Sequence, residues 1–195
     1  MTILIIGLAI FLGIHSVRIV AEPWRQAQIA RMGANSWKVG FSVLSAVGVG
    51  LIIWGYGLTR ATPLVLWTPP VGMRHLAGLL TLIAFVFLAA AYVPSNHLKA
   101  RFYHPMVLGV KTWAVAHLLA NGTLADMLLF GGFLIWAVFS FIAARRRDRD
   151  AGITYAAGTA SGTLMTVAIG IVAWAVFAFW LHAVLIGVRP FAMSS

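Results

Sequence analysis

Apolar residues run through this chain in blocks, and short polar segments between them carry most of the charge. The blocks fall at roughly 2–20, 37–58, 75–93, 105–121, 124–143 and 164–187, close to the ~20 residues a helix needs to cross a bilayer core. Strand-favouring runs such as Val43–Ile53 do not alter the assignment, because an open sheet edge has no hydrogen-bond partners in lipid. The first block lacks a basic leading segment and contains a histidine, so it reads as a retained helix rather than a cleaved signal. The expected fold is all-α: a polytopic membrane bundle of about six transmembrane helices, forming one domain over residues 1–195.

The connecting segments carry their own signals. Glu22-Pro23-Trp24 through Met32-Gly33 predicts a short interfacial helix, with proline near its start and glycine past its end. Asn121-Gly122-Thr123 predicts a tight turn between the fourth and fifth spans. The 61–71 segment, broken by Pro63, Pro69 and Pro70, reads as a surface loop anchored by Trp67, with a substrate lid as the alternative.

Charge then orients the bundle. Arg18, Arg25, Arg31, Lys38, Lys99, Arg101, Arg145, Arg146, Arg147 and Arg149 fall between spans on one side; Arg60, Arg74 and Arg189 fall on the other. An excess of bases marks the cytoplasmic face, so both termini are expected outside. The formal net charge of +10 reflects this arrangement. Four arginines directly after a span are explained by orientation and an anionic membrane surface, so nucleic acid is not an expected partner and the lipid bilayer is.

Composition narrows the chemistry. The chain is 62% hydrophobic and 9% charged, far from soluble-domain averages. With no cysteine, it has no disulfide, no thiolate-bound cluster and no covalently attached haem. Four scattered acids offer no paired-carboxylate hydrolase. Six histidines remain.

An ionisable side chain inside hydrocarbon is a candidate functional residue. His15 lies in the first span and His117 in the fourth, whereas His182 falls near the outer end of the sixth. His75 begins the third span, and His97 and His104 flank the cytoplasmic 94–105 segment. Counting from Arg18 and from Lys111, whose ammonium can snorkel, places His15 and His117 at similar depths, so these two are the expected pair. Structural zinc takes four ligands and catalytic zinc usually three. Two imidazoles suit the axial positions of haem b, and a helix bundle suits its apolar ring. Arg18, Lys111 and Arg101 are then expected near the propionates. His104 would meet a propionate or a headgroup, or simply start the fourth helix with Pro105. Asn121, four residues after His117, would orient that imidazole or serve as a turn residue. Histidines that merely pack helices remain the alternative for every one of these positions.

Arg101-Phe102-Tyr103-His104-Pro105-Met106-Val107-Leu108-Gly109, followed by Trp113-Ala-Val-Ala-His117-Leu-Leu-Ala-Asn121-Gly122, is similar to the NnrU family. So are Leu12-Gly13-Ile14-His15-Ser16 and the closing Leu181-His182 with Leu185-Ile186-Gly187-Val188-Arg189-Pro190. That resemblance implies a multi-pass protein of the bacterial inner membrane, associated with nitrite and nitric oxide reduction, with respiratory reductase components as partners. The family also resembles plant 15-cis-zeta-carotene isomerase, a haem b membrane enzyme, which implies ligands at His15 and His117. There a cysteine three residues before the second histidine is linked to ligand switching; here the position is Ala114. Arg101-x-x-His104-Pro105-Met106 further looks like the cofactor-proximal motif of isoprenylcysteine-type methyltransferases, without the later acidic residues of those enzymes. The expected function is thus a haem-bearing redox or accessory protein of denitrification. A haem-dependent polyene isomerase and a haem-free accessory protein are the alternatives.

Overall fold

A computed structural model describes residues 1–191. Among them the regular structure is helical: α1 (Thr2–Val20), α2 (Glu22–Met32), α3 (Ala34–Thr59), α4 (Gly72–Tyr92), α5 (His97–Phe102), α6 (Pro105–Ala120), α7 (Leu124–Asp150), α8 (Ala160–Val176) and α9 (His182–Ile186). A π-helical turn, Phe177–Leu181, joins the last two. Five stretches are long and apolar enough to cross a membrane: α1, α3, α4, α7 and the continuous run Ala160–Ile186. The protein is a multi-pass membrane protein. Large apolar side chains such as Val39, Val43, Ile135 and Val172 are exposed along these helices, as lipid-facing positions should be.

The expected fourth span, 105–121, is matched to one residue by the 16-residue α6, about 24 Å long at 1.5 Å per residue. The fifth runs past residue 143 to Asp150, because the arginine-rich stretch after the apolar block is also a good helix former. Other boundaries move by a few residues, and α2 forms where Pro23 and Gly33 predicted it.

The chain divides into two compact units, Met1–Trp67 with Gly122–Ser140, and Thr68–Asn121 with the described residues from Phe141 onward. In the first unit α1 lies against α3 through a seam of small residues. A Cβ at Gly55 would fall 2.3 Å from the Leu4 nitrogen, one at Gly7 2.6 Å from the Ile52 nitrogen, and one at Gly48 2.9 Å from Phe11. Backbones this close maximise dispersion contact, the main cohesive force available between helices in lipid. The 64–67 stretch pairs with the turn before α7: Leu66 N–H donates to the Gly122 carbonyl (2.8 Å) and Leu124 N–H to Leu64 (2.9 Å). Thr123 and Asp126 then cap α7 reciprocally. Asp126 is buried, yet it accepts from Tyr56 Oη and Thr123 Oγ1 at 2.6 Å each, so its carboxylate is fully employed in structure.

In the second unit α4 packs on α6 and α8. Asn96 is almost fully buried; its amide donates to the Ala90 and Val93 carbonyls, and its oxygen accepts from Lys99 N–H to cap α5. Thr159 N–H donates to Ser95 at 2.7 Å, fixing the start of α8 beside α5.

Candidate functional site

His15 sits in the first unit, five residues before the end of α1. Its ring stacks on Phe11 (centroids 4.1 Å) and meets Phe41 and Trp136 edge-on at 4.9 and 6.0 Å. Phe11 is one turn back on the same helix, while α3 and α7 supply the other two walls. Nδ1 donates to the Phe11 carbonyl at 2.7 Å, which makes Nε2 the lone-pair nitrogen. Beside it the Trp136 indole N–H is buried with no acceptor among the described residues. A donor stranded in this way forfeits its hydration without compensation, a cost of about 1–3 kcal/mol.

His117 sits in the second unit, in the last turn of α6. Nδ1 donates to the Trp113 carbonyl at 2.9 Å, so here too Nε2 carries the lone pair. The ring lies 5.1 Å from that of Trp113. It borders a cavity of about 380 Å³ whose walls include Phe85, Trp113, Trp174, Phe177 and Phe191. Arg74, Arg189 and His182 line the same cavity. Sequence depth set His117 well below His182. The structure corrects this: His117 is in the last turn of α6, and both histidines border one space.

The NnrU protein family model matches residues 3–190. The chain belongs to the NnrU family. No curated protein and no solved structure matches it.

Other expected site residues of this NnrU-family chain have defined places. Arg18 follows His15 by one turn near the end of α1. Arg101 lies in the last turn of α5 and Lys111 midway along α6, and neither is among the residues lining the cavity beside His117. Asn121 lines that cavity, but its amide donates to the His117 carbonyl at 2.9 Å; it fixes the end of α6 and not the imidazole. His104 precedes Pro105 at the start of α6, as the helix-start reading expects. Its Nε2 meets Asp148 Oδ2 at 2.8 Å, and Tyr155 Oη donates to the same carboxylate oxygen at 3.1 Å. Arg145 stacks over Tyr103, 3.7 Å from the ring centre, and Tyr103 itself holds φ +67. Burial, then the bond to Asp148, pushes the Tyr155 phenol above its ordinary range.

Sequence reasoning missed this His104–Asp148–Tyr155 cluster because α7 was expected to stop before Asp148. It also missed Trp136, one of eight tryptophans with no local mark to single it out. Arg74 and Arg189 were visible as the sparse bases of the outer side, but nothing in the sequence joined them to His117.

Proposed function

We propose that this NnrU-family protein is a bacterial inner-membrane haem b protein with a redox or accessory role in nitrite and nitric oxide reduction, and that His15 and His117 are each suited to serve as an iron ligand. The observation that carries the reading is shared by both imidazoles. Each donates a hydrogen bond from Nδ1–H to a carbonyl one turn back, which fixes the ring and leaves the lone pair on Nε2. Metal-bound histidines are commonly oriented by this bond. The surroundings of each ring also suit a flat apolar group. His15 is walled by Phe11, Phe41 and Trp136, with an indole N–H in want of an acceptor. His117 borders a cavity lined in part by Phe85, Trp113, Trp174 and Phe177. Bound haem would supply one-electron redox chemistry, and the chain's part is to fix the imidazoles and keep water away. The isomerase alternative has less support, because position 114 is a fully buried alanine with no switching sulfur.

The test is an absorption spectrum of protein purified from haem-replete cells. A Soret band lost in both His15→Ala and His117→Ala supports the assignment. A colourless wild-type preparation overturns it and leaves a haem-free accessory protein.

A further inference from the structure

The cavity beside His117 has a charge arrangement that the haem reading does not require. Two arginines, Arg74 from the first turn of α4 and Arg189 from the segment after α9, line it together with His182 and Asn121. Among the described residues neither arginine lies within ion-pair distance of a carboxylate. The chain has only four acidic side chains, and each is engaged elsewhere. Glu22 is bound by Arg25 and Gln26, Asp126 by Tyr56 and Thr123, Asp148 by His104 and Tyr155, and Asp150 lies 3.8 Å from Arg146. Among the described residues no carboxylate is left for this cavity.

Its other walls are apolar and their shape is actively maintained. The Trp174 indole donates to Thr81 Oγ1 at 3.1 Å, pinning α8 to α4 beside the opening. The π-helical turn begins at Phe177 and puts Phe177 and Ala178 on the wall; such one-residue expansions recur at ligand sites. Gly187, at φ +76, then reverses the chain, and His182 Nδ1 donates to the Val188 carbonyl at 2.7 Å. That bond holds the segment from which Phe191 reaches Gly78, where any Cβ would lie 2.8 Å from its ring. A cavity of about 380 Å³ thus has Arg74 and Arg189 along its lining, neither with a carboxylate partner among the described residues.

We infer that this cavity binds an anionic amphiphile: a carboxylate or phosphate held by Arg74 and Arg189, with an apolar body laid along Trp113, Trp174 and Phe177. Arginine matches both anions bidentately, and the flanking aromatics accept chain or ring. The anion could arrive as a free lipophilic acid or as the headgroup of an anionic phospholipid. Neither source needs an iron, so the inference stands apart from the haem reading.

The test uses the full-length protein in maltoside micelles and follows quenching of its tryptophans by bromine. 9,10-Dibromostearic acid is compared with its uncharged methyl ester. The acid should quench saturably at a concentration roughly tenfold below the ester, the factor expected when a charge-assisted contact is gained. Arg74→Gln and Arg189→Gln should each narrow that gap, their combination should close it, and Trp174→Phe should reduce the quenched fraction. A second arm compares dibrominated phosphatidylglycerol with dibrominated phosphatidylcholine in vesicles. Preference for the free acid identifies a lipophilic acid as the ligand, and preference for phosphatidylglycerol alone identifies a lipid headgroup; either supports the inference. Acid and ester quenching alike in wild-type protein, with no preference between the two lipids, overturns it without recourse to any variant. So does an acid preference that survives loss of both arginines. A colourless preparation would defeat the haem assignment and leave this result readable.

Discussion

Replacing Gly55 by alanine should loosen the seam between α1 and α3. The added Cβ would lie 2.3 Å from the Leu4 nitrogen and 2.7 Å from its Cα, both main-chain atoms that cannot rotate away. Restoring van der Waals distance requires the two helices to part by roughly 1 Å locally. Overpacking of this kind costs about 1–3 kcal/mol. Alanine also favours helix over glycine by about 1 kcal/mol, so the net loss should be about 0–2 kcal/mol, towards the upper end because the clash is with main-chain atoms. Gly57 supplies the control, since a Cβ there meets nothing within 4 Å and Gly57→Ala should be neutral or stabilising. Gly48→Ala, at 2.9 Å from Phe11, belongs between them. It carries a second signature, because Phe11 stacks on His15 and accepts its Nδ1 proton. SDS titration in mixed micelles, followed by tryptophan fluorescence, should rank Gly57→Ala above Gly48→Ala above Gly55→Ala. A Gly55→Ala midpoint equal to that of Gly57→Ala would refute the close-seam argument.

Tyr56→Phe should destabilise by about 1–3 kcal/mol in the same titration, because the buried Asp126 loses one of its donors. Trp136→Phe removes the orphaned indole N–H, so haem-free protein should unfold at an equal or higher SDS concentration, and a clear loss of stability would mean the N–H already has a partner. The Tyr155 phenol, followed at 295 nm against Tyr155→Phe, should titrate above 10.0, and Asp148→Asn should bring it down. Since its pKa is raised on folding, the stabilisation linked to it is complete below the unfolded value and fades as pH climbs through the folded one. A double-mutant cycle on His104→Gln and Asp148→Asn should show favourable coupling in the range of about 0.5–3 kcal/mol, and strictly additive effects would dismiss the pair.

Most of the helical layout was legible, because a membrane span writes itself as a long apolar run and a base count. Pro23, Pro105 and Gly33 marked element boundaries for local steric reasons that survive any tertiary context. Interactions between distant segments left no such mark. Asp126 looked like an isolated acid until α3 brought Tyr56 to it, and Asp148 looked like one charge among arginines until α7 carried it to His104. Depth along a helix was the weakest inference, since Lys111, midway along α6, marks the membrane face only if its ammonium snorkels that far. The imidazoles themselves were found early because ionisable residues are conspicuous in hydrocarbon. What lies around His117, two arginines and aromatic residues from three other segments, is a product of folding.

The wall formed by Val188, Arg189, Pro190 and Phe191 is continuous in sequence and lies beyond the last turn of helix. Four successive codons therefore set one cation and one aromatic surface of the cavity without disturbing any helix. Selectivity stored in so short a stretch can be exchanged by grafting, and a relative with different residues here could accept a different guest on the same scaffold.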